Sequence, residues 1–215
     1  MANDFSKGEK ISNQGIIAQE GELILNQARS QDERQYTFMV GSFQISNTRS
    51  LHEDTDYVTV SARVGDQHQT KTKFIGNVNN GNHPVNLEIG PFTMGPQDNV
   101  TFTYYIVNRG HSSDNSGNTV DKLTGAAGAV LTAADVPGAG LILGAIDKIL
   151  KGIFDLVDCD GTVAAEKYTW SRALLDERTQ NHPGYAHKQH HHGTDSDVGC
   201  GSNSEYDVIW EFHRD

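Results

Sequence analysis

Residues Val58–Val64 read VTVSARV, and residues Val100–Val107 read VTFTYYIV. In the first stretch Val58, Val60, Ala62 and Val64 alternate with Thr59, Ser61 and Arg63. Successive side chains of a strand point to opposite faces, so this pattern predicts a strand with one buried face. In the second, Val100, Phe102, Tyr104 and Ile106 alternate with Thr101, Thr103, Tyr105 and Val107. Four further stretches read as strands: Tyr36–Ser46, Val85–Ile89, Thr162–Thr169 and Tyr206–Phe212. In Tyr36–Ser46 the apolar phase slips at Gly41, which predicts a β-bulge. Turn-forming clusters stand between the strands, at Gly65-Asp66, at Asn79–Asn82 and at Gly95-Pro96. Short alternating strands divided by such turns predict a mainly β protein, an antiparallel β-sandwich.

The alternation stops between Thr119 and Val157. A run rich in small residues, LTGAAGAVLTAADVPGAG, leads into LILGAIDKILKGIFDLV. Apolar residues there fall at 141, 142, 145, 146, 149, 150, 153, 154 and 157, which is helical spacing. Asp147, Lys148, Lys151 and Asp155 lie off that face, and Asp147–Lys151 and Lys151–Asp155 form i,i+4 pairs. The segment 119–157 is therefore expected to be an α-helical hairpin inserted into the sandwich, turning near Val136–Gly138. Ser171–Arg178 reads as a helical turn, and 181–204 as a long polar loop. The expected organisation is an N-terminal segment, 1–35, followed by one sandwich domain, 36–215.

A chain of 215 residues can bury a proper core without staples. Its net charge of −11 repels phosphates and argues against nucleic-acid binding. The beginning, MANDFSKGEKISNQ, lacks the basic and then apolar regions of a conventional signal peptide. The expectation is a cytoplasmic protein or one exported by another route. Cys159 and Cys200 both stand in polar, Gly-containing contexts. They are either a disulfide, worth about 3–4 kcal/mol for a loop of roughly 40 residues, or two separate thiols.

Two clusters carry candidate chemistry. The first is HEDTD at 52–56, where acids can pool with DCD at 158–160. Glu53, Asp54, Asp56, Asp158 and Asp160 are the oxygen donors a Ca²⁺ ion would take. An EF-hand is excluded. Counting from Asp158, position six is Val163 and position twelve is Thr169, where Gly and Glu are required. The competing reading is turn-forming acids that bond backbone N–H groups. The second cluster is HKQHHHGTDSD at 187–197. His187, His190, His191 and His192 suit a borderline transition metal such as Zn²⁺, although their spacing fits no helical zinc motif. The apolar hairpin is the third candidate: packing on a sheet explains it, and membrane insertion is the alternative.

Three pieces, NTRSLHEDTDYV, DCDGTVAAE and GTDSDVGCGSNSEYDVIW, resemble an uncharacterised group of bacterial and fungal β-rich proteins. The resemblance spans Phe38 to Phe212. It implies a β-rich first part, a Gly/Ala-rich helical insert and a closing strand after CGSNS. It brings no activity with it.

The function expected from these residues is that of a non-enzymatic binding or interaction protein with a loop cation site, Ca²⁺ before Zn²⁺. The partner would be a protein, a glycan or a membrane surface. The alternatives are a membrane-active or toxin-like protein using the hairpin, and a metal-dependent hydrolase using the histidines.

Overall fold

The computed structural model describes residues 32–49, 54–109, 116–133, 139–153, 160–192 and 204–215. The unit Arg34–Asp215 begins with five strands. These are β1 (Arg34–Asn47), β2 (Asp54–Val64), β3 (Gln67–Val78), β4 (Gly81–Met94) and β5 (Asn99–Asn108). Helices α1 (Ser116–Ala133) and α2 (Ala139–Ile153) come next, then β6 (Gly161–Ser171) and α3 (Arg172–Thr179). Strands β7 (Gly184–His192) and β8 (Glu205–Arg214) close the chain. One sheet has the order β4-β1-β8-β7 and the other β3-β2-β5-β6. Every neighbouring pair is antiparallel. The two sheets pack face to face as a sandwich.

Alternation along the strands builds the core between them. Phe38, Val40 and Phe43 of β1 and Val208, Trp210 and Phe212 of β8 meet Val58, Val60, Phe102 and Tyr104 from the facing sheet. The rings of Phe38 and Phe102 lie 5.4 Å apart, and those of Phe102 and Trp210 lie 5.5 Å apart. The predicted bulge sits at Gly41, where the register of β1 shifts against both β4 and β8. A Cβ on Gly41 would lie 2.6 Å from Glu211 Oε1, so the bulge brings backbone and carboxylate close.

The second sheet is buried on its outer face as well. Leu123, Ala126 and Val130 of α1 and Ile146 and Leu150 of α2 pack against Tyr57, Tyr105, Val107 and Ala165. This is why the second half of β5 is apolar on both faces: Tyr104 turns inward and Tyr105 outward. The Tyr105 hydroxyl donates to the Leu123 carbonyl at 2.5 Å, and Lys167 Nζ donates to the Leu131 carbonyl at 3.1 Å. Asp147 departs from its expected place off the apolar face. It is buried, ion-paired with Lys151 at 2.8 Å and within 3.4 Å of the Thr162 N–H that it accepts. Asp155 lies outside the described residues. Among the described residues no helix is long and apolar enough to cross a membrane.

Two strands differ from the expected pattern. Strand β3 (QHQTKTKFIGNV) is largely exposed, so its sequence carries little apolar alternation. It edges its sheet, and its side chains reach the edge of β4 across the sandwich. Gln67 Nε2 donates to the Thr93 carbonyl at 2.7 Å, and Gln67 Oε1 accepts from the Thr93 N–H at 3.0 Å. Gln69 accepts from the Gly90 N–H at 2.9 Å, and Lys73 donates to the Val85 carbonyl at 2.6 Å. Such contacts occupy backbone groups that an open edge would offer to another chain. Strand β7 replaces the first half of the loop expected over 181–204.

The packing of α1 gives a direct test. Leu123→Ala removes a fully buried side chain from the helix–sheet layer. Urea denaturation is expected to show a loss of about 2–5 kcal/mol. A loss below about 0.5 kcal/mol, the usual surface value, would mean that the helix does not pack there.

Candidate functional site

Strand β2 begins at Asp54, so Asp54 and Asp56 belong to the strand and not to a loop ahead of it. Two residues apart, they share its inner face and meet Tyr206, which comes from β8 of the other sheet. Both acids are fully buried. Asp54 Oδ2 accepts from the Arg49 backbone N–H at 2.8 Å and from the Tyr206 hydroxyl at 2.7 Å. Its Oδ1 accepts from Asn108 Nδ2 at 2.8 Å, and Asn108 Oδ1 accepts from the Thr55 N–H at 2.9 Å.

The Tyr206 oxygen also lies 2.9 Å from Asp56 Oδ2. One hydroxyl proton cannot serve both acids. Burial, and then the neighbouring Asp54, push the Asp56 carboxyl well above the usual carboxylate range, which favours its protonated form. A proton on Asp56 would supply the second hydrogen bond, from Asp56 to Tyr206. Tyr206 in turn is kept neutral by its burial and by the two acids.

Asp160 lies just ahead of β6, buried, with its Oδ2 3.7 Å from Arg109 Nε. The Arg49 guanidinium covers Gly161: a Cβ there would lie 3.0 Å from Nη2. The three sequence motifs thus meet at one end of the sandwich, through Arg49 on Gly161 and Tyr206 on Asp54. The positive charge beside Asp160 and Gly161 belongs to arginines. Glu53, Asp158, Cys159 and Cys200 lie outside the described residues.

The histidines fall differently from the set of four read in the sequence. As a strand, β7 sends alternate side chains to opposite faces. His187 and His191 face inward, His190 and His192 outward. His187 lies against Trp210, ring centroids 5.6 Å apart. His191 is buried with its Nε2 2.8 Å from the Tyr104 hydroxyl, and burial and then His190 push its imidazole down to about 4. These two cannot join the other pair on one ion.

The outward pair gains partners from β8. Register sets His192 opposite Glu205 and His190 opposite Asp207. Glu205 Oε1 lies 2.7 Å from His192 Nδ1, and its Oε2 lies 2.9 Å from His190 Nε2. Asp207 Oδ1 lies 2.7 Å from His190 Nδ1, and Lys188 Nζ donates to Asp207 Oδ2 at 2.7 Å. The lysine, helped by His190, holds the Asp207 carboxyl below the usual range. His190, His192 and Glu205 each place a ligand atom within 4.8 Å of the others, the one such set of three among the described residues. Two imidazoles and a carboxylate on a paired, exposed strand edge can hold a divalent metal with positions left open. Glu205 and Asp207 are absent from the sequence-derived set because pairing of β7 with β8 alone brings them beside the histidines. Their one signal is the outward phase of the Tyr206–Phe212 alternation.

No family model matches the chain, and no curated protein matches it. Among solved structures, human GIVD cytosolic phospholipase A2 with methyl gamma-linolenyl fluorophosphonate aligns with 85% of this chain at 10% identity and a TM-score of 0.38. A second structure of human GIVD cytosolic phospholipase A2 gives 12% identity and a TM-score of 0.38, again over 85% of this chain. The alignments cover 17% and 16% of those chains, so this chain spans a small part of their length. Similarity at that level assigns no activity.

A proton on Asp56 predicts opposite outcomes for the two acids. In the unfolded chain Asp56 ionises at the ordinary value near about 3.9. The stability contributed by its neutral form is complete below that value and is lost as pH rises through the higher folded-state value. Asp56→Asn keeps a neutral side chain of the same shape. Its unfolding free energy at neutral pH is expected to equal or exceed that of the parent, with a flatter pH profile. Asp54→Ala strands three donors and is expected to cost about 3 kcal/mol or more. Equal losses in the two variants at pH 7 would contradict the assignment of the proton to Asp56.

Proposed function

We propose that this protein is a binding or interaction protein that holds a divalent transition metal at His190, His192 and Glu205. The convergence of those three ligand atoms within 4.8 Å on the outer face of β7 and β8 carries the reading. The donor set decides between cations. Ca²⁺ takes six to eight oxygens, whereas imidazole nitrogens suit Zn²⁺ and its neighbours. Asp54 spends both oxygens on Arg49, Asn108 and Tyr206, which favours a structural role for the acids first considered for calcium. The metal site is also the exposed one, with His190 and His192 side chains 49% and 69% accessible. An ion there meets solvent and whatever binds that face.

Thermal unfolding of tag-free protein after EDTA treatment tests this. Zn²⁺ at 100 times its dissociation constant is expected to stabilise the fold by about 2.7 kcal/mol, and Ca²⁺ to have little effect. His192→Ala and Glu205→Gln are expected to abolish the zinc response while keeping the melting temperature of the metal-free parent. A parent protein that shows no response to millimolar Zn²⁺ would remove the reading.

A further inference from the structure

Metal-binding histidines usually give their second ring nitrogen to a carboxylate, which sets the tautomer and fixes the ring. His190 has that arrangement. Its Nδ1 is 2.7 Å from Asp207 Oδ1, and Asp207 is itself held by Lys188 Nζ at 2.7 Å. Its Nε2 points the other way, 2.9 Å from Glu205 Oε2. On the other side of Glu205, His192 presents Nδ1 at 2.7 Å. The two imidazole rings stand 4.6 Å apart and nearly perpendicular, at 87°. All five side chains, Lys188, Asp207, His190, Glu205 and His192, lie on the outer face of one strand pair whose register fixes their order. Strands position ligands more rigidly than a loop would.

The carboxylate behind His190 is an observation independent of the three converging ligands, and it assigns the ring atoms. We propose that Asp207, braced by Lys188, is the positioning residue that presents His190 Nε2 to the metal, making with His192 Nδ1 and Glu205 an open three-ligand centre. This rests on metal binding at this face and specifies its design. Three protein ligands leave the fourth position of a tetrahedral ion to an outside donor, as in open zinc centres rather than closed structural ones. That donor is a nitrogen or oxygen ligand from solvent or from a molecule bound to the face. Asp207 touches no metal. It acts through His190, so its loss weakens binding without removing a ligand.

Cobalt(II) titration of the full-length, tag-free protein, followed by visible absorption, tests the proposal. The parent is expected to bind Co²⁺. Asp207→Ala is expected to bind about 10–100-fold more weakly, the usual cost of losing such a support. Asp207→Asn keeps an oxygen that accepts from Nδ1–H and is expected to recover part of that loss. Lys188→Ala is expected to show a smaller loss than Asp207→Ala. Melting temperatures in EDTA separate these effects from unfolding. Added imidazole is expected to shift the absorption bands of the parent Co²⁺ form by occupying the open position. Unchanged affinity in both Asp207→Ala and Lys188→Ala would overturn the positioning role. A spectrum indifferent to saturating imidazole would overturn the open position. A parent that binds no Co²⁺ would instead defeat the metal reading itself.

Discussion

The alternation of β8 is the constraint on which the molecule rests. Tyr206, Val208, Trp210 and Phe212 point inward and are buried, whereas Glu205, Asp207, Ile209 and Glu211 face outward and remain partly accessible. The inward row fills the space between the sheets and closes one end through Tyr206 on Asp54 and Asp56. The outward row supplies both carboxylates of the candidate site. A slip of β8 by one residue would exchange the rows, placing acids in the core and rings in water. Core packing therefore fixes the register that the site needs.

Burying two carboxyls at a sheet-to-sheet contact is costly unless every oxygen and proton finds a partner. Here the cost is limited in two ways. Asp54 accepts from a backbone N–H, an amide and a phenol. Burial and the neighbouring Asp54 push Asp56 toward its neutral form, which limits the second buried charge. What reads in sequence as a knot of charge is in large part a polar joint between the two sheets. The arginines Arg49 and Arg109 complete this end beside Gly161 and Asp160. The absence of a side chain at Gly161 gives the Arg49 guanidinium its place.

How legible each part was follows from where its side chains go. Strand β5 was plain because its inward row, Val100, Phe102, Tyr104 and Ile106, alternates with an outer row that is apolar only at Tyr105 and Val107, where α1 packs. The bulge at Gly41 showed as a phase slip, since an extra residue must displace the alternation. Strand β3 was silent because an exposed edge has no need of apolar residues. Strand β7 was silent because its inward positions hold Tyr185, His187, Gln189 and His191, a row whose polar atoms disguise a half-buried face. Asp147 was misplaced because helical spacing identifies the apolar face but not a carboxylate buried against Lys151 and Thr162.

The sequence by itself determined the sandwich, the helical segment after β5 and the presence of imidazoles near residue 190. The first two depend on local periodicity, which a one-dimensional pattern records in full, and the third on residue identity alone. Tertiary structure alone decided which imidazoles stand together. Strand geometry separated His187 and His191 from His190 and His192, and pairing with β8 brought Glu205 and Asp207 across a gap of more than ten residues. It also decided the fate of the acids, because Tyr206 stands about 150 positions away from them in the chain. Periodicity assigns a residue to a face. Only the partner strand determines what that face meets.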